Sequence, residues 1–316
     1  PIEGGPVSSI TAPRRRVTPA TRAVDWIDAH LKWILIAPSV VFIAVLIAFP
    51  IGYTIFLSLT DSSGAVSRPF EFVGLQNYIG WLTDTERFWP AVGRTAYFTG
   101  MALGLELVLG LAIALLLRKT FRGQSLVRVF ILLPLVATPV AVGMMWLLIF
   151  EPTIGFANVV MRFFGLPAQG WLSDPSQALN TLVFIDVWQW TPMVILILLA
   201  GLSTLPEEPD EAARVDGANA WQRFRHITLP LLAPVIGAAA ILRSIDAMKT
   251  FDIIYATKGI GGGSSHEAET LNILAYGQAF QFSQYGKASA LLMLFFLLII
   301  VILMALAILR SRGARS

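Results

Sequence analysis

Four ionisable side chains lie inside long apolar stretches, where a charge needs a specific environment. They are Glu106, Asp186, Arg243 and Asp246. A charged group near the middle of a membrane helix costs about 2.5 to 3.5 kcal/mol on insertion scales, so it usually faces a cavity or a partner. Arg243 and Asp246 share a helical face with Lys249, and one interpretation is mutual neutralisation. The other is an outward-opening polar cavity, because Asp186 and Arg243 reach similar depths at about 1.5 Å per residue.

The sequence contains no recognisable catalytic or metal-binding pattern. It has no cysteine, and its three histidines, His30, His226 and His266, lie in separate segments without ligand spacing. The glycine run at 259–265 lacks the Gly-Lys-Ser/Thr ending of a phosphate-binding loop, and it predicts a flexible external loop. No nucleophile elbow or metalloprotease motif occurs. We therefore predict that this chain is not an enzyme and holds no cofactor or metal.

The elements that must position these polar groups are membrane-spanning helices. Of 316 residues, 56% are hydrophobic and only 14% are charged, which is too apolar for an ordinary soluble domain. A helix needs about 20 apolar residues to cross the hydrocarbon layer. Six stretches qualify: 33–59, 94–117, 127–150, 179–202, 231–250 and 286–309. The sequence predicts an all-α integral membrane protein with six transmembrane helices, surrounded by membrane lipid.

The distribution of basic residues predicts the orientation. With the N-terminus inside, fifteen Lys and Arg residues fall on the inner side and six on the outer side, while Arg243 and Lys249 lie in the fifth span. Inner loops carry an excess of basic residues, so both termini are expected in the cytoplasm. The cluster Arg14–Arg16 precedes a first span too long for a signal peptide, and that span is expected to be permanent. The net charge of +3 follows this topology, so no nucleic-acid partner is expected.

A charged segment between the fourth and fifth spans predicts two short helices with a joint between them. Its sequence, at 207–234, is EEPDEAARVDGANAWQRFRHITLPLLAP. Glu211 to Val215 predicts the first helix, and Gly217 supplies a joint at which the second can turn. Ala212, Ala213 and Ala218 have small side chains, so the two helices could enter a groove on a partner protein. Glu211 and Asp216 would then be available to pair with basic groups of that partner. The alternative is an amphipathic helix on the membrane surface, which usually has a basic polar face.

This segment resembles the coupling loop of ABC-importer membrane subunits. The matching order includes Glu211, Ala212, Ala213, Asp216, Gly217, Ala218, Phe224, Leu229 and Pro230. Pro209-Asp210 departs from the Leu-Tyr pair that many relatives carry. Further stretches, among them FVGLQNYIGWL at 72–82 and VWQWTPMVILILLAGLSTLP at 187–206, resemble carbohydrate ABC-importer permeases of the maltose-transporter type, including bacterial trehalose importers.

The resemblance implies a type I ABC-importer permease fold and a place in a larger assembly. It divides the chain into a cytoplasmic segment 1–32, a first helix and external loop 33–92, a core 93–310 that includes the coupling loop 207–230, and a tail 311–316. The implied partners are a second permease, two ATPase subunits that hold ATP and Mg²⁺, and an extracytoplasmic sugar-binding protein. The implied location is the bacterial cytoplasmic membrane.

The same resemblance implies a carbohydrate substrate, a di- or oligosaccharide such as trehalose. Proteins bind sugars with planar polar groups that satisfy hydroxyls and with aromatic faces that cover C–H surfaces. The candidates for the substrate path are Asp186, Trp188, Gln189, Trp190, Arg243, Asp246 and Tyr255. Helix packing and interfacial anchoring are the alternative for each of them. The role of Glu106 stays open between a gate and a subunit contact.

Two other functions remain possible from the residues alone. An ATP-independent secondary transporter or channel would also have several spans, but it would need no charged coupling segment. A membrane-embedded enzyme would need a reactive constellation that the sequence lacks.

Overall fold

A computed structural model describes residues 19–64 and 69–313. This part of the chain is helical, and its only β-pairing is an isolated bridge between Thr60 and Phe72. Five of its helices are long and apolar enough to cross a membrane, and a sixth crossing is present if one bent pair of helices counts as a span. The predicted all-helical fold is confirmed. The cluster Arg14–Arg16 and the end of the tail at 314–316 lie outside the described residues.

The chain separates into two compact units. The first, Pro1–Tyr53, contains most of helix α1 (Pro19–Ser58), whose membrane-length part is His30–Ser58. Large apolar side chains along this part are exposed, among them Phe42 and Phe49. A helix that is apolar on all sides suits a lipid environment rather than water.

The second unit, Thr54–Ser316, holds the remaining helices. They are α2 (Gln76–Thr83), α3 (Phe88–Leu117), α4 (Gln124–Val136), α5 (Pro139–Ile149), α6 (Phe156–Phe163), α7 (Pro175–Ser203), α8 (Glu208–Val215), α9 (Ala220–Arg223), α10 (Leu229–Met248), α11 (Asp252–Lys258), α12 (Leu271–Tyr276) and α13 (Tyr285–Gly313). A π-helical turn, Phe224–Thr228, joins α9 to α10.

Helix α7 is the centre of this unit and packs against α3, α4, α5 and α10. Its first turn is well defined, because Asp174 accepts a hydrogen bond from the backbone N–H of Ser176 at 2.8 Å and Pro175 opens the helix. Close packing against α3 depends on Gly110, where an added Cβ would lie 2.6 Å from Val194 Cγ1. Small residues of this kind let membrane helices approach closely.

The third predicted span, 127–150, is not one continuous helix. It consists of α4 and α5, which meet at an angle of 100°. Thr138 between them is extended, at φ −67° and ψ 141°, because a residue that precedes proline disfavours the helical region, and Pro139 then starts a new helix. The other predicted spans correspond to α1, α3, α7, α10 and α13.

The glycine-rich segment after α11, for which the sequence predicts a flexible external loop, contains a 3-10 turn at Ile260–Gly262. Glycines at 259 and 261–263 have positive φ, a conformation that side chains disfavour. Lys258 at the end of α11 pairs with Glu267 at 2.5 Å and also donates to the carbonyl oxygen of Leu172. Burial raises the pKa of Glu267, but the hydrogen bond from Lys258, the hydrogen bonds from backbone N–H groups and the charge of Lys258 together leave the pKa lowered. Lys258 therefore joins this loop, through Glu267, to the segment before α7, through the Leu172 carbonyl oxygen.

Candidate functional site

A buried ion network joins three helices of the second unit. Arg243 on α10 is 1% exposed. Its Nε donates to Glu106 Oε2 on α3 at 2.6 Å, and its Nη2 donates to Glu106 Oε1 at 3.0 Å. The same Nη2 also donates to Asp186 Oδ2 on α7. One guanidinium thus serves two carboxyl groups and ties α3, α7 and α10 together.

The interpretation of mutual neutralisation among Arg243, Asp246 and Lys249 holds only in part, because the described residues include no ion pair between Arg243 and Asp246. Asp246 instead lies 3.7 Å from Lys249 Nζ, and both of these side chains are partly exposed. Arg243 donates to both carboxylate oxygens of Glu106, the two-point geometry that favours pairs of arginine and carboxylate. Such a pair is stable in the interior only when its hydrogen bonds are well made.

A cavity of about 250 Å³ opens beside this network. Trp190, Arg243 and Asp246 line it together with Lys249 and Thr250. The guanidinium of Arg243 lies 5.2 Å from the centre of the Trp190 ring, which is within the range of a cation–π contact. The structure thus brings three of the predicted path residues to one polar cavity with an aromatic wall.

Gln189 and Asp186 face other helices rather than this cavity. Gln189 is 1% exposed, and its Nε2 donates to the carbonyl oxygen of Ala137 at the bend between α4 and α5, at 3.1 Å. Its Oε1 and the Oδ1 atom of Asp186 are buried without a hydrogen-bond partner among the described residues. Both side chains thus position the helices that surround the cavity.

Trp188 and Tyr255 belong to two separate aromatic clusters. Trp188 contacts Trp146 on α5 edge to face, with ring centroids 5.4 Å apart. Tyr255 stacks on Phe251 at 5.2 Å and contacts Tyr276 at 5.0 Å. Phe251 also lines the cavity that holds Arg243, so the cluster around Tyr255 continues from that cavity.

Helix α8 starts earlier than the sequence predicts, at Glu208 instead of Glu211. Pro209 suits the first turn of a helix, and three acidic residues there, Glu208, Asp210 and Glu211, complement its positive end. Asp210 accepts hydrogen bonds from Arg214 at 2.7 Å and from Arg223 at 2.9 Å. Burial alone would raise the pKa of Asp210, but the two guanidinium groups lower it.

The joint between α8 and α9 falls at Gly217, which has φ +82°. Asn219 then begins α9 with a capping box, because its Oδ1 accepts from the N–H of Gln222 at 2.9 Å and Gln222 Oε1 accepts from the N–H of Asn219 at 2.8 Å. The paired helices are polar and exposed on a surface that includes Glu211, Ala212 and Asp216, while Ala213 and Ala218 are half-buried.

The later coupling candidates lie on the turn into α10. Phe224 packs against Trp221, with ring centroids 5.4 Å apart. Leu229 and Pro230 form the start of α10. The π-helical turn before them has a simple cause, since proline has no N–H to donate and disturbs the regular hydrogen bonds of the preceding turn.

A second charge cluster was missed by sequence reasoning. Glu269, which is 1% exposed, accepts hydrogen bonds from Arg87 Nε at 2.8 Å and from Arg87 Nη2 at 2.5 Å. Arg94 on α3 donates to the Glu269 carbonyl oxygen at 2.9 Å. The hydrogen bonds that Arg87 donates to the Glu269 carboxylate raise the pKa of Arg87. The one signal in the sequence was a pair of arginines, Arg87 just before the predicted span 94–117 and Arg94 at its first position, which could indicate a carboxylate partner.

No group of His, Cys, Asp or Glu with metal-binding geometry occurs in the part of the chain that the structure describes. Its helices, its internal ion network and the exposed pair α8 and α9 define a multi-pass α-helical membrane protein. The chain belongs to the family described as binding-protein-dependent transport system inner membrane component, whose profile matches residues 106–313. It is therefore a transport permease of the ABC-importer class.

Two relatives align over most of the chain. The trehalose/maltose transport system permease protein MalF of Thermococcus litoralis is 35% identical over 86% of this chain and 90% of its own length. The trehalose transport system permease protein SugA of Mycobacterium tuberculosis is 34% identical over 84% of this chain and 83% of its own length.

A solved structure confirms the fold. A chain from a bacterial ABC transporter involved in the import of alginate is 20% identical, with a TM-score of 0.77 over 92% of this chain and 99% of that chain. The predicted type I ABC-importer permease fold is thus confirmed.

Proposed function

We propose that this chain is one of two permease subunits of an ATP-driven importer for a di- or oligosaccharide such as trehalose. In this proposal, the second permease completes the path, two cytoplasmic ATPase subunits hold ATP and Mg²⁺, and an extracytoplasmic binding protein delivers the sugar. The observation that carries the sugar class is the similarity, over more than four fifths of the chain, to permeases named for trehalose and maltose transport.

The exposed pair α8 and α9 is the proposed contact with an ATPase subunit. Its own contacts support this role, because the Asp210 salt bridges and the Asn219 capping box make it rigid without any partner. A rigid element transmits a displacement better than a flexible loop. Its exposed surface leaves Glu211 and Asp216 available for basic groups of the partner. The orientation that follows has both termini in the cytoplasm, as the basic residues predict.

The proposed sugar path runs along the cavity beside the ion network. Trp190 supplies an aromatic face there, and Arg243 and Asp246 supply polar groups. The aromatic cluster of Phe251, Tyr255 and Tyr276 extends the same surface. In this proposal Asp186, Trp188 and Gln189 act on the path by positioning α7 against α3, α5 and α10.

Reconstitution tests the proposal directly. The chain would be purified with its co-assembling subunits, placed in proteoliposomes, and assayed for uptake of labelled trehalose with ATP inside or outside the vesicles. The expected result is uptake that requires both the binding protein and ATP on the side of α8 and α9. Uptake without an ATPase subunit would instead identify a secondary transporter or channel. ATP-driven uptake of a non-carbohydrate, with no uptake of sugars, would reject the substrate class alone.

A further inference from the structure

A second cavity, of about 600 Å³, lies where α7 ends and the chain leads into α8. The end of α3, the start of α4 and the last turns of α7 surround it. Its walls are apolar, with Leu132 on α4 and Leu196 and Leu199 on α7, and its polar part contains Arg118 and Arg128. A cleft lined by both leucine side chains and guanidinium groups therefore lies at the end of a membrane-length helix.

The two guanidinium groups at this cavity have unused hydrogen-bonding capacity. Neither Arg118 nor Arg128 forms an ion pair with a carboxylate among the described residues, and the one hydrogen bond found for Arg128 is a long 3.5 Å contact with the Leu117 carbonyl oxygen. Both arginines are exposed, as are Lys119 and Arg122 in the connection between α3 and α4. Glu207 also lines the cavity and partly offsets the positive charge.

We propose that this cavity binds the headgroup and upper acyl chains of an anionic phospholipid. Arginine binds phosphate oxygens through two parallel N–H donors, and the apolar walls give the acyl chains a surface beneath the headgroup. Basic pockets between membrane helices favour anionic headgroups for the same reason. A free phosphate ion would use the arginines but would leave the leucine walls unoccupied. The combination of both surfaces therefore points to a lipid.

The position of the cavity gives bound lipid a mechanical role. Glu207 lines the cavity and is the residue immediately before α8. Lipid in the cavity would hold the ends of α3, α4 and α7 together, at the point where α8 is attached. This consequence for transport rests on the proposed function, whereas lipid binding itself does not.

Native mass spectrometry of the full-length protein in its purified complex tests the site. The probes are phosphatidylglycerol, phosphatidylcholine with the same acyl chains, and glycerol phosphate without chains. The variant carries Arg118→Gln with Arg128→Gln. The matched control carries Lys119→Gln with Arg122→Gln, which removes the same charge from the connection between α3 and α4 without changing a residue that lines the cavity. Each basic residue near an anionic headgroup contributes about 1 kcal/mol, so phosphatidylglycerol affinity should fall about fivefold per arginine and about 25-fold for the pair.

The proposal predicts that the control changes phosphatidylglycerol affinity by less than about twofold. Equal losses in the two double variants would overturn it, because the attraction would then come from the basic residues of this region in general. Equal affinity for the two lipids would also reject it, and tight binding of glycerol phosphate alone would identify a phosphate site instead. Should the arginine variant fail to assemble, Glu207→Gln provides the decisive measurement. Removal of that carboxylate should raise phosphatidylglycerol affinity, and an unchanged or lower affinity would reject the site.

Discussion

Arg243 on α10 and Glu106 on α3 form a two-point hydrogen-bonded ion pair in the interior of the protein, although 137 residues separate them in the sequence. Asp186 from α7 completes the network on the same guanidinium. The network therefore fixes the relative positions of three helices, and its two carboxyl groups depend on a single cation.

Because one guanidinium serves two carboxyl groups, removal of Arg243 should destabilise the protein more than removal of Glu106. Arg243→Met leaves two buried carboxyl groups without a cation and should destabilise the protein by about 3 to 5 kcal/mol. Glu106→Gln leaves one guanidinium with one carboxylate and should cost about 1 to 3 kcal/mol. Intrinsic tryptophan fluorescence during heating is a suitable measurement, because the chain has nine tryptophans and no cysteine for thiol dyes. Equal melting temperatures for the two variants would contradict the network described here.

Gly217 tests whether the joint between α8 and α9 requires its backbone conformation. An added Cβ there would meet no atom of this chain within 4 Å, so within the chain the effect of substitution is backbone strain alone. Gly217→Val should cost about 1 to 2 kcal/mol at φ +82° and should reduce uptake and sugar-stimulated ATPase activity. Gly217→Asn is the matched control, because asparagine has similar bulk but tolerates the left-handed region. Equal defects in the two variants would mean that bulk at the partner surface, rather than strain, is responsible.

Gln189 distinguishes helix positioning from sugar contact. Gln189→Leu removes the hydrogen bond to the Ala137 carbonyl oxygen. The expected cost is about 0.5 to 1.5 kcal/mol in stability, with uptake falling in proportion to the amount of folded protein. Uptake of trehalose and maltose per folded molecule should be measured together with the melting temperature. A changed preference between the two sugars at unchanged stability would instead identify Gln189 as a direct sugar contact.

Asp210 should control the rigidity of the pair α8 and α9. Asp210→Asn breaks the salt bridges to Arg214 and Arg223, and it should increase trypsin cleavage after these arginines in inside-out vesicles. Glu208→Gln is the control, since it removes an acidic group from the same turn without breaking either salt bridge. Right-side-out vesicles should show no cleavage at either site. Cleavage there would reverse the proposed orientation.

The lowered pKa of Asp210 predicts how the stability of the helix pair α8 and α9 depends on pH. A carboxyl group whose pKa is lower in the folded state stabilises that state above its unfolded pKa, and the contribution is lost as the pH falls through the folded value. Protease protection of this pair, assayed with a protease active at both values, should therefore be the same at about pH 8 and about pH 5, which lie above the usual aspartate pKa. A loss of protection within that range would show that Asp210 does not carry the interaction.

The sequence was sufficient for the helices and for the joint, but not for the side-chain partners. Hydropathy alone locates α3, α7 and α13, and glycine at 217 between charged residues predicts a turn. The sequence near Arg243 does not reveal its partner. Glu106 comes from a helix 137 residues away, whereas the nearby Asp246 has the i,i+3 spacing of an ion pair within one helix. Thr138-Pro139 carried the signal for the bend in the third span, which a hydropathy window averages away.

That bend has a consequence for how the protein is made. Helices α4 and α5 have 13 and 11 residues, so neither half, at about 20 and 17 Å, can cross a bilayer core of about 30 Å alone. The hydrogen bond that satisfies the open Ala137 carbonyl comes from Gln189, which the ribosome adds some fifty residues later. During synthesis, the contact that joins the bend to α7 can therefore form only after Gln189 has been added to the chain.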